Sequence, residues 1–361
     1  MSENPAKAPS FEPLAASSAP VTTPARQPEL IPAQDPENEQ DQDSQGETDT
    51  DSAEGDDAAS STASITASIL EYRTIQGRTY HSDRHPTEYF TPNDEQQRES
   101  VDISHHSLTL LLGGKLFLPP ITKDVQKVLD VGTGTGIWAI DFADQHPNAE
   151  VIGSDLSPIQ PQWVPPNVKF EIDDATLPWS WKDNSFDFIH IRYLFGAIQD
   201  WPALFKQAYR CCIPGGWVQS CEADVEIRSD DETTDDVPVL KLWAQLYADG
   251  GRKLGTPFYV QREGLQEKGL QEAGFTDIKS VDYKLPVGGW PKDSDLAEVG
   301  RYVNLTLEND IEGYTLMLWH NVLQWPKEEY GPFLAGMRRV LRSRKIHGYM
   351  MVRYVYGRKP E

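Results

Sequence analysis

Three glycines at every second position, Gly132, Gly134 and Gly136, follow the apolar run Val128-Leu129-Asp130-Val131. Glycine at such a turn lets main-chain amides approach a ligand without a Cβ in between. A helix that starts there turns its positive end toward the same ligand. Asp155 lies 25 residues after Asp130, at the end of the next apolar run. A carboxylate in that place can accept both hydroxyls of a ribose. Asp174, after VKFEI, is placed to take a hydrogen bond from an adenine amino group. A dinucleotide fingerprint, G-x-G-x-x-G, would need a glycine at position 137, which is Ile137. Asp130, two positions before the first glycine, would oppose a diphosphate; it suits a ligand with a free ammonium and a sulfonium. Taken singly, each residue has an ordinary reading as a packing turn, a helix cap or a solvated turn acid. Their order at the ends of successive strands makes Asp130, Gly132, Gly134, Gly136, Asp155 and Asp174 one candidate nucleoside-binding set.

Strands and helices must alternate to hold these residues. VLDVG reads as a strand, GTGTGIWAIDFADQHP as a turn entering a helix, and EVIGSDLS and VKFEIDDA as further strands. FDFIHIRYL is a fourth strand, followed by helix WPALFKQAYRCC, a PGG turn and the strand GWVQSCEAD. This rhythm predicts a parallel α/β sheet. Beyond it come an acidic loop from Ser229 to Asp236, a helix VPVLKLWAQLYADGGRKL, a helix QREGLQEKGLQEAG and a strand FTDIKSVDYKLPV. A helical stretch over 293–325, a helix from Lys327 and a closing strand HGYMMVRYVYGRKP complete the chain. Upstream, residues 66–120 read as helical, with Thr91 or Asn93 capping a long amphipathic run that Pro119 and Pro120 end. The expected division is an acidic disordered leader over 1–64, a helical N-terminal extension over 65–122, and a catalytic-type domain over 123–361. Helical insertions are expected at about 229–260 and 293–325 of that domain. No internal repeat is visible.

Composition excludes other classes. The 361 residues carry a formal charge of −23, of which −12 falls in residues 1–65. That segment has Phe11 as its one aromatic and cannot bury enough apolar surface to offset ordering. Such acidity is unsuited to gripping nucleic-acid phosphates. Cys211, Cys212 and Cys221 have no CxxC spacing, which disfavours a disulfide scaffold or structural zinc and fits a reducing compartment. The opening MSENPAKAPS lacks an apolar signal core, and the most apolar stretch, Leu108 to Pro120, is interrupted by Gly113, Gly114 and Lys115. No membrane span is expected, and a soluble intracellular protein is.

Catalytic groups are harder to read. His190, near the carboxyl end of the fourth strand, is a candidate base; a buried strand histidine is the ordinary alternative. His105 and His106 are adjacent and face differently on a helix, so they make a poor metal pair and read as packing or capping residues. His81 and His85 add a loose cluster, and no metal site is expected. Cys211 and Cys212 read as core. Tyr302, Tyr314, Trp319 and Trp325 either line an acceptor pocket under a lid or pack a helical core. Residues 337–361 carry a balance of +7, read as an import or docking patch or as a solvated helix face.

The D-x-G-x-G-x-G pattern with Asp155 and Asp174 resembles the S-adenosylmethionine site of class I methyltransferases. KVLDVGTGTGIWAIDFAD, VIGSDLSPIQPQWVPPNVKFEIDDA, FDFIHIRYLFGAIQDW and PGGWVQSCE further resemble the fungal LaeA-like methyltransferases, as do SILEYRTIQGRTYHSD and YFTPNDEQQRESVDISHHSLTLLLGGKL. The resemblance implies an α/β, Rossmann-like seven-stranded sheet with its last strand antiparallel, and S-adenosyl-L-methionine as cofactor. It also implies a regulator of secondary metabolism and development in the nucleus and/or cytoplasm, working with velvet-type proteins. Relatives that methylate small metabolites leave a tailoring enzyme as the alternative, and a non-catalytic cofactor-binding scaffold as another. By the same resemblance Arg192 and Tyr193 fall where the cofactor's methionine moiety and the acceptor come close, which makes Arg192 a cofactor-binding candidate and Tyr193 a catalytic one. IRYLFG stands where DNA or glutamine N-methyltransferases of this class carry NPPY, which argues against those activities.

Overall fold

The computed structural model describes Leu30, Pro32 and residues 72–361. The leader read over 1–64 and the start of the extension therefore lie outside the described residues, apart from two docked positions. Leu30 is buried beside Trp290, Leu296 and Tyr349, and Pro32 bridges Pro291.

Seven strands form the main sheet: β3 (Lys127–Val131), β4 (Glu150–Asp155), β5 (Val168–Ile172), β6 (Phe186–Arg192), β7 (Cys212–Ala223), β8 (Thr276–Pro286) and β9 (Tyr349–Arg358). Their spatial order is β5-β4-β3-β6-β7-β9-β8. β3 to β7 pair in parallel, and β9 runs antiparallel to both of its neighbours. The chain moves outward from β3 through β4 to β5, then returns to β6 on the other side of β3. That reversal opens a crevice beyond the carboxyl ends of β3 and β6, the place where open α/β sheets bind ligands.

Helix α2 (Ile137–Gln145) covers one face, with Trp138, Ala139, Phe142 and Ala143 buried on it. Helix α3 (Trp201–Cys211) covers the other face, capped by Asp200, whose carboxylate accepts from the Ala203 amide at 2.9 Å. The PGG sequence is not a turn between helix and strand. It is an excursion inside β7, where pairing jumps from Phe186↔Cys212 to Phe188↔Trp217 and Gly215 adopts φ +78.

The extension departs from its helical reading. Residues 73–80 form a hairpin, β1 (Arg73–Ile75) and β2 (Arg78–Tyr80), closed by Gln76 and Gly77 at φ 53 and 84. Positive φ at both central residues matches the twist of a two-residue hairpin. Three-residue strands are too short to show an alternating pattern, so the helical spacing of the apolar residues misled. Helix α1 (Glu95–Leu111) follows. Its cap is Asp94, which accepts from the Gln97 amide at 3.2 Å, and neither Thr91 nor Asn93. Asn93 instead donates its carboxamide to Ser157 Oγ at 3.2 Å. Gly113 and Gly114, at φ 64 and 85, end the helix before Pro119 is reached.

The 229–260 segment holds α4 (Pro238–Leu254) and the start of α5 (Val260–Glu263); Gly264 at φ +64 separates α5 from α6 (Leu265–Ala273). Over 293–325 run α7 (Ser294–Met317) and a π-helical turn (Leu318–Val322), followed by α8 (Lys327–Leu341). Helix α7 kinks at Asp310 (φ −140, ψ 47). Apolar residues of α4, α7, α8 and the extension share one core, including Phe90, Trp243, Val303, Trp319 and Phe333. This second core roofs the carboxyl ends of β3 and β6.

Candidate functional site

A cavity lies between the sheet's carboxyl edge and this roof, lined by Gly132, Gly134, Asp155, Asp174, Arg192 and Tyr193 among others. Thus six of the nine residues singled out as site candidates converge on it.

The glycines divide their work. A Cβ at Gly136 would lie 2.3 Å from the Phe170 ring, and one at Gly132 would lie 2.5 Å from Leu194. A Cβ at Gly134 would have only Val101 near it, at 3.7 Å, so this glycine presents bare backbone to the cavity. Gly136 does not line the cavity; at φ +82 it starts α2.

Asp155 accepts from the Gly134 amide at 2.8 Å and the Ser157 amide at 3.0 Å. These bonds aim its carboxylate across the glycine turn, while burial pushes it up to about 6. Asp174 is almost wholly buried and accepts from the Thr87 hydroxyl at 2.8 Å and the Thr176 amide at 2.9 Å. Asp173 was not singled out in the sequence, yet it lines the cavity with Oδ2 buried and without a partner among the described residues. Nothing in the DD pair announces that both acids line the cavity; that is a matter of strand-end geometry.

One expectation is corrected, and one pair of alternatives is decided. Asp130 does not face the cavity. Its Oδ2 accepts from Thr133 Oγ at 2.6 Å and its Oδ1 pairs with His190 Nδ1 at 2.7 Å. The carboxylate therefore braces the glycine turn from beneath and does not meet an ammonium. His190 is not placed to act as a base. It is buried, stacked on Trp138 at 3.7 Å and 6° between planes, and absent from the cavity wall. Tyr193 does reach the cavity, from a backbone held at φ +55, but burial pushes its phenol well above the ordinary range.

His105, read as a packing or capping residue, and His81, read as part of a loose cluster, both belong to the wall. His105 lines the cavity and bridges Asp141 (2.9 Å) and Arg192 (3.1 Å). His81 also lines it; its Nε2 accepts from the Tyr89 amide at 3.2 Å and its Nδ1 donates to the Ser82 carbonyl at 3.0 Å. Both lie on the extension, whose close approach to the sheet no local pattern announces. Cys211, Cys212 and Cys221 are free and buried, and burial pushes Cys212 and Cys221 up to about 12.

Of the four aromatics proposed for an acceptor pocket, only Tyr314 lines the cavity. Tyr302 packs on His106 at 4.4 Å, and Trp319 on Trp325 at 4.9 Å, within the roof. The lobe is walled instead by Tyr89, Phe90, Tyr193, Phe195, Trp243 and Tyr247. Trp243 and Tyr247 sit four apart on α4, a spacing that core packing and pocket lining share.

The family model for a methyltransferase domain matches residues 104–280. Methyltransferase pytC of Aspergillus terreus is 36% identical over 305 residues, 84% of this chain and 93% of that one. Secondary metabolism regulator LAE1 of Cochliobolus heterostrophus is 36% identical over 291 residues, 79% of this chain and 94% of that one. The chain belongs to the LaeA-like family of S-adenosylmethionine-dependent methyltransferases. Protein-methionine methyltransferase laeA of Emericella nidulans is 32% identical over 310 residues, 85% of this chain and 81% of that one.

The LaeA-like cavity fits an S-adenosyl nucleoside. Asp155 offers carboxylate oxygens at the glycine turn, and on the same wall Asn93 Oδ1 and Asp173 Oδ2 are buried acceptors without partners among the described residues. Unpaired buried acceptors cost free energy that a ligand's hydroxyl or amino group recovers. Arg192 is a cation at the cavity wall for a carboxylate. Among the described residues no group of His, Cys, Asp and Glu is placed to hold a metal ion. None of the described helices is long and apolar enough to cross a membrane.

Proposed function

We propose that this methyltransferase regulates fungal secondary metabolism and development, in the nucleus or cytoplasm, with velvet-type proteins as partners. Its likeness to LAE1 and laeA over most of the chain supports the regulatory reading. Arg339, Arg344 and Lys345 are exposed near the end of α8, a surface suited to import or docking. The site observation that carries the chemistry is one continuous cavity joining the glycine turn to the aromatic lobe.

Gly132, Gly134, Asp155, Asp173, Asp174, Asn93 and Arg192 would hold the cofactor, with Asp130 and Gly136 bracing the turn. Bound there, the cofactor supplies an activated methyl group on a sulfonium. The chain's own task is to orient an acceptor and exclude water. Trp243, Tyr247, Phe90 and Phe195 do the latter with apolar surface. Neither His190 nor Tyr193 is set up as a base, and an acceptor that attacks without first losing a proton would need none. Calorimetry with S-adenosylmethionine tests the reading. Wild type should bind, and Gly134→Arg, which fills the open side of the turn, should not.

A tailoring role on a small fungal product is favoured by a different observation, the aromatic lining of the cavity, together with the likeness to pytC. Gene deletion separates the two. Changes across many unrelated metabolites support regulation, whereas loss of one methylated compound supports tailoring. Complementation of the deletion by Gly134→Arg would point to a scaffold without turnover.

A further inference from the structure

We propose that His105, on the N-terminal extension, is a positioning residue of the cofactor site, holding Arg192 toward the methionine carboxylate of S-adenosylmethionine. The proposal rests on the reading above that this cofactor occupies the cavity.

A guanidinium has only donors, so the 3.1 Å contact between Arg192 Nη1 and His105 Nδ1 requires a bare ring nitrogen at Nδ1. The ring's proton must then sit on Nε2, where it faces Asp141 Oδ2 at 2.9 Å. One tautomer satisfies both contacts, and Asp141 selects it. His105 is 4% exposed, and burial followed by the charge of Arg192 holds its pKa below the usual value, so the imidazole is neutral. The three residues come from separate elements: His105 from α1, Asp141 from α2 and Arg192 from the end of β6. Packing alone would not give this chain of contacts a direction. The tautomer does, because the whole series ends on a cation that lines the cavity.

Arg192 has few other restraints. Among the described residues its guanidinium makes no other hydrogen bond, and its side chain is partly buried. A long side chain loses substantial rotamer freedom when fixed, and His105 removes part of that loss before the ligand arrives. The cofactor's carboxylate then meets a guanidinium already in place, with the planar donor array suited to it.

The test needs no methyl acceptor. Decarboxylated S-adenosylmethionine lacks the carboxylate and keeps the sulfonium, the ammonium and the nucleoside. Calorimetric titrations of the full chain would compare both ligands in wild type, His105→Ala, His105→Asn, Asp141→Ala and Arg192→Ala. His105→Ala should weaken S-adenosylmethionine by roughly tenfold, the size of one charge-assisted hydrogen bond, and leave the decarboxylated ligand within about twofold. His105→Asn, which keeps an acceptor near the Nδ1 position, should recover most of the loss. Asp141→Ala, on a half-exposed site, should give an intermediate loss confined to S-adenosylmethionine. Equal weakening of both ligands by His105→Ala, with no recovery in His105→Asn, would overturn the proposal and leave a purely structural role. Should His105→Ala fail to fold, the Asn and Asp141 variants decide the matter by the same ratio. An unchanged ratio in Arg192→Ala would show that the carboxylate is held elsewhere, which also overturns it. Absence of S-adenosylmethionine binding by wild type is a separate failure, that of the cofactor reading itself.

Discussion

Thr87 Oγ lies 2.8 Å from each carboxylate oxygen of Asp174, seating the N-terminal extension directly on the loop after β5. Asn93 to Ser157 and Thr135 to Asp102 repeat the arrangement along the cavity, so the extension is one wall of the cofactor site.

Thr87→Val keeps the shape of that contact and removes the hydroxyl. Asp174 then loses a buried donor, worth about 1.5–3 kcal/mol when the acceptor is charged. Affinity for S-adenosylmethionine should fall by roughly tenfold or more, while Thr87→Ser stays near wild type. Calorimetry reads both, and equal affinities for Val and Ser would refute the coupling.

The roof depends on Arg78. It donates to Asp310 at 2.7 and 2.8 Å and to Asp94 at 2.7 Å, tying the hairpin, the cap of α1 and the kink of α7 together. Asp310 has no exposed surface, so removing its partner leaves an uncompensated buried charge. Arg78→Met should destabilise the protein by about 3–5 kcal/mol. The double variant Arg78→Met with Asp310→Asn should recover part of it. Denaturant unfolding checks both.

Gly136→Ala places a methyl group 2.3 Å from the Phe170 ring on a backbone at φ +82. Strain and overpacking together should cost about 2–5 kcal/mol. Phe170→Leu in the same chain should relieve only the steric share, since φ is unaffected. Full recovery in the double variant would contradict this division.

Glu222 on β7 is fully buried and accepts from the Leu194 and Phe195 amides at 3.1 and 3.0 Å, fixing the turn that carries Tyr193. Burial pushes its carboxyl from 4.5 up to about 8. Between those values the folded state holds a proton that the unfolded state has released. Stability from this group is therefore complete below about 4.5 and is lost as pH rises to about 8. The slope approaches roughly 1.4 kcal/mol per pH unit. Glu222→Gln should flatten the stability profile across that window. Parallel profiles for wild type and variant, measured by denaturant unfolding at pH 5.5, 7 and 8.5, would refute it.

The regular part of the molecule was legible because its signals are local. Apolar runs bounded by Gly and Asp place β3 to β7, and the position of Gly136 in place of a glycine at 137 separates this turn from a dinucleotide fingerprint. The hairpin at 73–80 was not legible, since Gln76-Gly77 is a weak turn signal and three-residue strands show no period. The cap of α1 was misplaced by one residue because Thr91, Asn93 and Asp94 all have capping side chains, and only packing shows that Asn93 is spent on Ser157.

By itself, then, the sequence determined the sheet, the glycine turn and the type of ligand, because each depends on residues close together in the chain. The tertiary structure decided which way side chains of known type would face. Asp130 turns inward to His190 and Thr133, Asp173 turns to the cavity, and His105 meets Arg192 across 87 residues. Such choices depend on contacts between elements distant in sequence, where a buried polar group must find its partner, and no periodicity encodes them.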